Sequence, residues 1–245
     1  MSPSEKNKFI SNWIKSYVDQ MPVKAQSLVI GISGGIDSSV SSTLSAMTGI
    51  KTIVLTMPIR QKNNQHDLSL KHQGWLIKNF KNVEAHTINL DKLFESFSST
   101  LEKFDNEHGY ANSRARLRMT TLYQVAAANR GIVVGTGNKV EDFGVGFYTK
   151  YGDGGVDISP IADCNKTEVW ELGKELGILK EIIDAPPTDG LWDDGRTDEG
   201  QLGFKYEDLE DAMKNPNSPH RQEYEKIRKQ NLHKMEPIPV CKIPS

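Results

Sequence analysis

Hydrophobic residues along the chain recur at two spacings, which predict alternating helices and strands. Glu5 to Gln20 is the first predicted helix, because its apolar residues recur every three or four positions. Four short apolar runs are typical of buried strands: Ser27 to Ile32, Thr52 to Met57, Val83 to Ile88 and Ile132 to Gly135. Helix-length segments lie between them: Ser38 to Met47, Asp67 to Phe80, Leu90 to Phe104 and Asn112 to Asn129.

This alternation defines the expected fold class. Parallel neighbouring strands need a crossover, which is usually a helix and right-handed. We therefore expect an α/β protein with an open, doubly wound parallel sheet flanked by helices. After Lys150 the strand-like runs stop. Three further helices are predicted there, at Lys166 to Leu176, Tyr206 to Met213 and His220 to Asn231, so the C-terminal part should be helical.

Composition narrows the classes of partner. The 245 residues include 30 basic and 32 acidic side chains, a net charge of -2. Such balance argues against a general binder of nucleic acid. The length allows one large domain or two small ones. No apolar stretch approaches the roughly 20 residues of a membrane helix, and the polar N-terminus carries no export signal.

The cysteines and the local charge add two expectations. Cys164 and Cys241 form no CxxC pair, so neither a disulfide framework nor a cysteine zinc site is expected, and the reducing cytoplasm is the expected location. Asp184 to Asp211 holds ten acidic residues against two basic ones. Within it, Ala185 to Gly200 is either a solvated, mobile surface loop or an active-site lid that orders over a nucleotide, with Trp192 as a possible cover.

A glycine- and serine-rich turn follows the first predicted strand. Ser27 to Ser39 reads SLVIGISGGIDSS. Gly34 and Gly35 allow the backbone to approach a ligand closely, and the helix N-terminus that follows favours an anion. The pattern is neither a Walker loop nor a GxGxxG fingerprint. It resembles the SGGxDS pyrophosphate loop of the ATP pyrophosphatases, in which Asp37 suits Mg²⁺, since an acid beside phosphate needs a cation between them.

Five further segments, in order, closely resemble the ammonia-dependent NAD synthetases. They are Asn112 to Met119, Gly135 to Gly155, Val156 to Leu172, Thr197 to Met213 and Leu232 to Pro237. The similarity covers about residues 10 to 240 and implies a Rossmann-like ATP pyrophosphatase fold. It implies that residues 1 to 245 form one synthetase domain without a glutaminase, converting deamido-NAD, ATP and ammonia to NAD, AMP and pyrophosphate through an acyl-adenylate.

The resemblance also implies the site residues. The ATP-binding positions are Gly31, Ile32, Ser33, Gly34, Gly35, Ile36, Asp37, Ser38, Met57, Thr136, Lys166 and Thr188. Asp37 and Glu141 match the two Mg²⁺ carboxylates, and Asp37 and Lys166 are the catalytic candidates. The deamido-NAD positions are Arg116, Lys150, Asp157, His233 and Lys234. In the family this second site lies at a dimer interface, so a homodimer is implied.

Some alternatives stay open. The substrate could be nicotinic acid mononucleotide, because both substrates share the nicotinate end. A tRNA-modifying ATP pyrophosphatase or a nucleotide sensor without catalysis would retain the phosphate loop. Taken alone, Glu141 and Asp157 could be surface acids, and His233 and Lys234 an ordinary basic tail. One departure from the bacterial pattern is the spacing of Glu141 and Lys150, which is nine residues instead of eight.

Overall fold

A parallel sheet forms the centre of the fold, in a computed structural model that describes residues 1–60, 63–188, 191 and 197–243. The strand order is β3-β2-β1-β4. The strands are β1 Ser27–Gly31, β2 Lys51–Thr56, β3 Val83–Thr87 and β4 Gly131–Val133. Their pairings are all parallel, with Ser27 opposite both Lys51 and Gly131. The predicted α/β class and the positions of the four predicted strands are confirmed. The prediction that every strand is buried is wrong for β3, which lies at the sheet edge and has no buried residue.

The helices agree with the predicted segments to within a few residues at most ends. Their bounds are α1 Pro3–Gln20, α2 Ile36–Met47, α3 Asn63–Asn79, α4 Asp91–Thr100, α5 Glu107–Ala128, α6 Lys166–Glu175, α7 Lys180–Ile183, α8 Asp198–Leu202, α9 Tyr206–Lys214 and α10 Arg221–Met235. A 3-10 turn, Glu102–Phe104, follows α4, and a π-helix, Lys139–Val145, follows β4. The sequence pattern did not predict α7, α8 or the π-helix.

Helix α5 begins five residues earlier than predicted. The side chain of Asn106 accepts a hydrogen bond from the Gly109 amide at 2.7 Å and caps the helix. Asparagine is a favoured N-cap, because its side chain satisfies an amide that has no partner within the helix. The start of this helix therefore depends on a local polar contact, which apolar spacing does not reveal.

Alternate residues of β1 point into different apolar layers. Leu28 and Ile30 pack into the cluster formed with α1, α2 and α6, whereas Val29 packs into the cluster formed with α4 and α5. This period of two follows from the strand geometry. A third cluster joins the π-helix to α9 and α10 through Val140, Leu209 and Tyr224. The sheet is thus covered on both faces, and the C-terminal helices support the segment after β4.

Cys164 lies in the core, as expected for a small buried residue. It is 6% exposed, and both cysteines are free. Burial raises the pKa of its thiol to about 11, which keeps it protonated at neutral pH. Within the described ranges, no helix has the length and apolar character needed to cross a membrane.

A buried histidine sits between α2 and α3. The His72 Nε2 atom lies 3.0 Å from the Ser42 hydroxyl, and its ring stacks on Trp75. Among the described residues, Nδ1 has no hydrogen-bond partner. Burial lowers the pKa of His72 from 6.5 to about 4. Folding therefore favours the neutral ring, and this contribution to stability is full above pH 6.5 and is lost as the pH falls towards 4.

We predict that His72→Gln will weaken the acid sensitivity of folding. Between pH 7.5 and pH 5 the free energy of unfolding should fall by about 2 kcal/mol less in the variant than in the unchanged protein. Urea unfolding at the two pH values measures the difference. The exposed His108→Gln variant is the control and should follow the unchanged protein. Equal slopes for all three proteins would contradict the role of His72.

Candidate active site

A cavity of about 220 Å³ lies at the carboxyl ends of the strands. The chain leaves β1 towards β2 on one side, and β4 lies on the other side of β1. Such a reversal of strand order opens a crevice where ligands bind in doubly wound sheets. The lining includes predicted ATP positions from several elements: Gly31, Ile32, Ser33, Asp37, Ser38, Met57, Thr136 and Thr188.

The glycine-rich loop between β1 and α2 is ordered by its own polar groups. Gly34 has a φ of 93°, which favours glycine. The Ser38 hydroxyl donates to the Gly35 carbonyl at 3.1 Å and accepts from the Ser33 amide at 3.2 Å. Gly35 precedes the first turn of α2 and has no side chain to cap it. The first amides of α2 are therefore available to a phosphate.

The remaining predicted ATP positions have other surroundings. Ile36 places its side chain in the core, so only its backbone can serve a ligand. Gly34 and Gly35 shape the loop and are not among the residues lining the cavity. Lys166, at the first turn of α6, reaches the cavity wall through its contacts with Asp37 and Glu141.

Two carboxylates and one lysine form a buried cluster at the cavity wall. The Lys166 Nζ atom lies 2.5 Å from Asp37 Oδ2 and 2.9 Å from Glu141 Oε1, and its side chain is 2% exposed. Burial opposes the charged ammonium, but the charges of Asp37 and Glu141 outweigh it and raise the pKa of Lys166. The lysine is thus held as a cation at this position.

Sequence reasoning missed two side chains that fix this cluster. Asn138 donates from Nδ2 to Asp37 Oδ1 at 3.2 Å, and its Oδ1 accepts from the amides of Val140 and Glu141. Tyr206 donates its hydroxyl proton to Glu141 Oε1 at 2.6 Å. The position of Asn138 before a polar helix start was a usable signal. The contact of Tyr206 arises only from tertiary packing.

The π-helix accounts for the extra residue between Glu141 and Lys150. It spans Lys139–Val145, and the Gly146 amide donates back to the Glu141 carbonyl, five residues earlier. A π-turn absorbs one inserted residue without ending the helix, and such turns are frequent at functional sites. Gly146 closes the turn with a φ of 70°. The motifs on both sides of the insertion therefore stay in the same site.

Asp142, inside the π-helix, also lines the cavity. Burial, together with the charges of Asp153 and Glu141, raises the pKa of Asp142 well above its usual value. The Asp142 carboxyl group occupies the space where a Cβ atom at Gly137 would lie. Any larger residue at position 137 would therefore collide with the Asp142 side chain.

We predict that Gly137→Ala will lower activity by roughly 10- to 100-fold, since misplacing site groups by about an ångström has effects of this size. The added methyl group must displace Asp142 or the 135–137 turn. Steady-state kinetics with a thermal melt would separate a local effect from unfolding. Gly177→Ala is not a fair control, because its φ is 70°. Gly74→Ala is suitable, since nothing lies within 4 Å of the new Cβ atom. Full activity of Gly137→Ala would contradict the close packing.

The donor set at the cluster fits a magnesium ion that is completed by substrate. Asp37 and Glu141 both contact the Lys166 ammonium, so the two carboxyl groups lie close together. Among the described residues no group of three or more His, Cys, Asp or Glu side chains could hold a metal. Mg²⁺ commonly binds through one or two carboxylates plus substrate phosphates, so Asp37 and Glu141 could hold the ion together with a bound phosphate.

Three of the five predicted deamido-NAD positions are joined by contacts, and a fourth, Lys234, follows one of them in the chain. The Arg116 Nε atom donates to the Lys150 carbonyl at 3.3 Å, and Lys150 Nζ lies 3.5 Å from the His233 carbonyl. Lys234 Nζ donates to the Tyr148 carbonyl at 2.6 Å. We call Arg116, Lys150, His233 and Lys234 the basic group. None of the four is among the residues lining the cavity.

The fifth position, Asp157, has contacts of a different kind. Its carboxylate accepts from the Val133 amide at 2.7 Å and from the Tyr123 hydroxyl at 3.1 Å. These bonds hold the segment after β4 against the sheet, where Ile158 forms a parallel bridge with Val134. Both partners of this carboxylate thus belong to β4 and α5, and neither is a member of the basic group.

Two other arginines of α5 contact the cavity or a segment that lines it. Arg118 lines it and donates from Nε to the Met57 carbonyl at 3.0 Å. Arg114 is buried and donates from Nη1 to the Leu191 carbonyl at 2.6 Å. Because Thr188 and Leu191 both line the cavity, part of the acidic segment does reach the site. Trp192, the predicted cover, lies outside the described residues.

The fold and this cavity define a nucleotide-binding α/β protein. The family model described as NAD synthase matches residues 7–243. An NH(3)-dependent NAD(+) synthetase of Carboxydothermus hydrogenoformans is 38% identical over 211 residues, covering 84% of this chain and 83% of the relative.

Solved structures agree with this match. The NMN synthetase from Francisella tularensis superposes with a TM-score of 0.91 at 32% identity, covering 99% of this chain and 100% of that one. The NH3-dependent NAD synthetase from Campylobacter jejuni shares the fold with a TM-score of 0.79 at 24% identity, over 99% and 100% of the two chains. The chain belongs to the NAD synthase family.

Proposed function

We propose that the protein amidates the nicotinate carboxylate of deamido-NAD with ammonia at the expense of ATP. The observation that carries this proposal is the joining of Asp37, Glu141 and Lys166 in one buried cluster beside the phosphate loop. A carboxylate is a poor acyl donor, so the substrate must first be activated. ATP supplies the activation, and the cluster supplies the charges that phosphoryl transfer requires.

The first step forms an acyl-adenylate. An oxygen of the nicotinate carboxylate attacks the α-phosphorus of ATP, and pyrophosphate leaves. The loop Gly31 to Ser38 and the first turn of α2 hold the phosphates, with Thr136 and Thr188 at the cavity wall. Lys166 is placed to stabilise charge that develops at the α-phosphate. Met57, at the end of β2, lines the cavity on the side assigned to adenine.

The second step consumes ammonia. Its nitrogen attacks the acyl carbon, the bond to AMP breaks, and one proton is released, which gives the amide and AMP. Mg²⁺ would be held by Asp37 and Glu141 and would neutralise phosphate charge when bound. Of the carboxylates that line the cavity, Asp142, Asp153 and Asp198 are assigned to neither ATP nor metal.

We further propose that the basic group binds the nucleotide part of deamido-NAD and that the protein works as a cytoplasmic homodimer in which the two copies complete this site. Support comes from the contacts that join Arg116, Lys150 and His233, with Lys234 next in the chain. Asp157, which the resemblance also assigns to this substrate, would act by holding the segment after β4. Sedimentation with and without deamido-NAD measures the assembly.

A second substrate candidate is nicotinic acid mononucleotide. The extensive superposition on the Francisella tularensis NMN synthetase favours it. Its chemistry at the nicotinate carboxylate is the same, so the cluster serves either substrate. Only contacts with the adenylate half of deamido-NAD distinguish the two.

The test uses purified protein with ATP, Mg²⁺ and ammonium, and either deamido-NAD or nicotinic acid mononucleotide. We expect amide, AMP and pyrophosphate in equal amounts. The ratio of the two kcat/KM values decides the substrate, because specificity is the difference between the transition-state free energies. No amide above a protein-free control with either substrate would refute the function. ATP turnover stimulated by tRNA alone would point to the rival class.

A further inference from the structure

We infer that Tyr206 is a positioning residue for the metal carboxylate Glu141. Its hydroxyl orients the Glu141 carboxyl group so that one oxygen accepts from Tyr206 and Lys166 and the other stays available to Mg²⁺. This inference rests on the proposed function, which assigns Mg²⁺ to Asp37 and Glu141.

The hydrogen bonds at Glu141 are divided unequally between its two oxygens. The Tyr206 hydroxyl, at 2.6 Å, and the Lys166 ammonium, at 2.9 Å, both donate to Oε1. Among the hydrogen bonds of the described residues, none reaches Glu141 Oε2. Two donors on one oxygen fix the rotation of the carboxyl group, because rotating it would break both bonds. The orientation of the other oxygen is then fixed as well. Hydrogen bonds from neighbouring residues orient metal ligands in the same way.

The ring of Tyr206 has little freedom to move its hydroxyl. Tyr206 is 1% exposed, and Trp170 packs edge-on against it with the ring centroids 5.9 Å apart. The Lys166 ammonium lies 4.9 Å from the Tyr206 ring centroid, within the range of a cation–π contact. The same tyrosine therefore contacts both partners of the ion pair, one through its hydroxyl and the other through its ring.

Tyr206 also connects the cluster to the end of the acidic segment. Its hydroxyl lies 3.4 Å from Asp198 Oδ2, in the first turn of α8. Asp198 is buried and lines the cavity, and its amide donates to the Pro187 carbonyl beside Thr188. The hydroxyl is thus shared between the metal carboxylate and the segment that carries a predicted ATP position.

Tyr224 shows what a purely structural tyrosine looks like in the same apolar cluster. It is buried at 6% exposure, and no hydrogen bond from its hydroxyl is found among the described residues. Buried tyrosines usually place their hydroxyl near some polar partner. The polar partner of the Tyr206 hydroxyl is the Glu141 carboxylate, which the proposed chemistry requires. The role of Tyr206 therefore goes beyond packing.

The experiment compares Tyr206→Phe with the matched control Tyr224→Phe. Each variant loses only a hydroxyl, and Tyr206→Phe keeps the ring beneath Lys166. Calorimetry would measure the binding of a non-hydrolysable ATP analogue at increasing Mg²⁺, without turnover. We expect Tyr206→Phe to need about 10- to 100-fold more Mg²⁺ for half-maximal enhancement of binding. Analogue binding without metal should be unchanged, and Tyr224→Phe should match the unchanged protein.

Kinetics and a double-mutant cycle complete the test. Tyr206→Phe should lower kcat at fixed Mg²⁺, leave the KM for the nicotinate substrate unchanged, and recover at high Mg²⁺. In a Glu141→Gln background, adding Tyr206→Phe should change the Mg²⁺ requirement by less than about twofold, since coupled residues are not additive. A Mg²⁺ requirement equal in Tyr206→Phe and the unchanged protein would overturn the inference. Absence of amide formation by the unchanged protein would instead refute the proposed function, while the calorimetric comparison still decides the role of Tyr206.

Discussion

Replacing Lys166 by methionine is expected to destabilise the metal-free protein by about 3–5 kcal/mol. The variant keeps much of the side-chain volume but leaves Asp37 and Glu141 buried without their shared cation. Breaking a buried pair by removing one partner has this cost, because the remaining charge is uncompensated. Unfolding by urea in the presence of a chelator measures it.

Mg²⁺ should restore part of the lost stability of Lys166→Met without restoring activity. A divalent cation can neutralise the two carboxylates, but it does not replace the ammonium in its proposed role at the α-phosphate. The control is Lys139→Met, because Lys139 pairs at 2.8 Å with Asp163, whose side chain is 96% exposed. Such a surface pair contributes at most about 1 kcal/mol. Two outcomes would show that the cluster is not held by charge. One is an equal loss of unfolding free energy in the two variants, and the other is a stability of Lys166→Met that Mg²⁺ does not change.

The elements of the fold were predictable where their apolar spacing was strong. Buried runs separated by amphipathic segments gave all four strands and eight of the ten α-helices in the described part of the chain. The exceptions are short or polar. Helix α7 spans four residues and α8 five, too short for a periodic signal. The π-helix could not be read from spacing, since its seven residues contain two adjacent acids and one glycine.

The candidate site divides in a similar way. Gly31 to Ser38 could be assigned from local sequence, because phosphate binding uses contiguous backbone. The pairing of Asp37 with Lys166 spans 129 residues, and only the resemblance suggested that both belong to one site. Tyr206 and Asn138 act through hydrogen bonds to other side chains. Residue type alone does not predict such roles, because they depend on where packing places a hydroxyl or an amide.

The arginines of α5 show the same limit. Arg114, Arg116 and Arg118 cannot share one face of a helix, since they are spaced by two residues. The resemblance selects Arg116 for the substrate, whereas the structure places Arg118 at the cavity and Arg114 against Leu191. Each arginine therefore contacts a different segment around the site. Sequence spacing predicts that the three point in different directions, but not which segment each one contacts.

Replacing Asp37 by asparagine is expected to lower kcat by about 1,000-fold, which corresponds to roughly 4 kcal/mol of lost transition-state stabilisation. The change removes one of the two carboxylates proposed to hold Mg²⁺ while keeping the side-chain shape. Lys166 would keep its bond to Glu141, so the fold should remain intact, as a thermal melt can show. Asp163→Asn, at an exposed site, is the control and should keep full activity. The rate is measured across a wide range of Mg²⁺, because weakened metal binding raises the Mg²⁺ requirement, whereas lost charge at the reacting phosphate lowers the maximal rate. An undiminished rate for Asp37→Asn at every Mg²⁺ concentration would refute the metal role of this carboxylate.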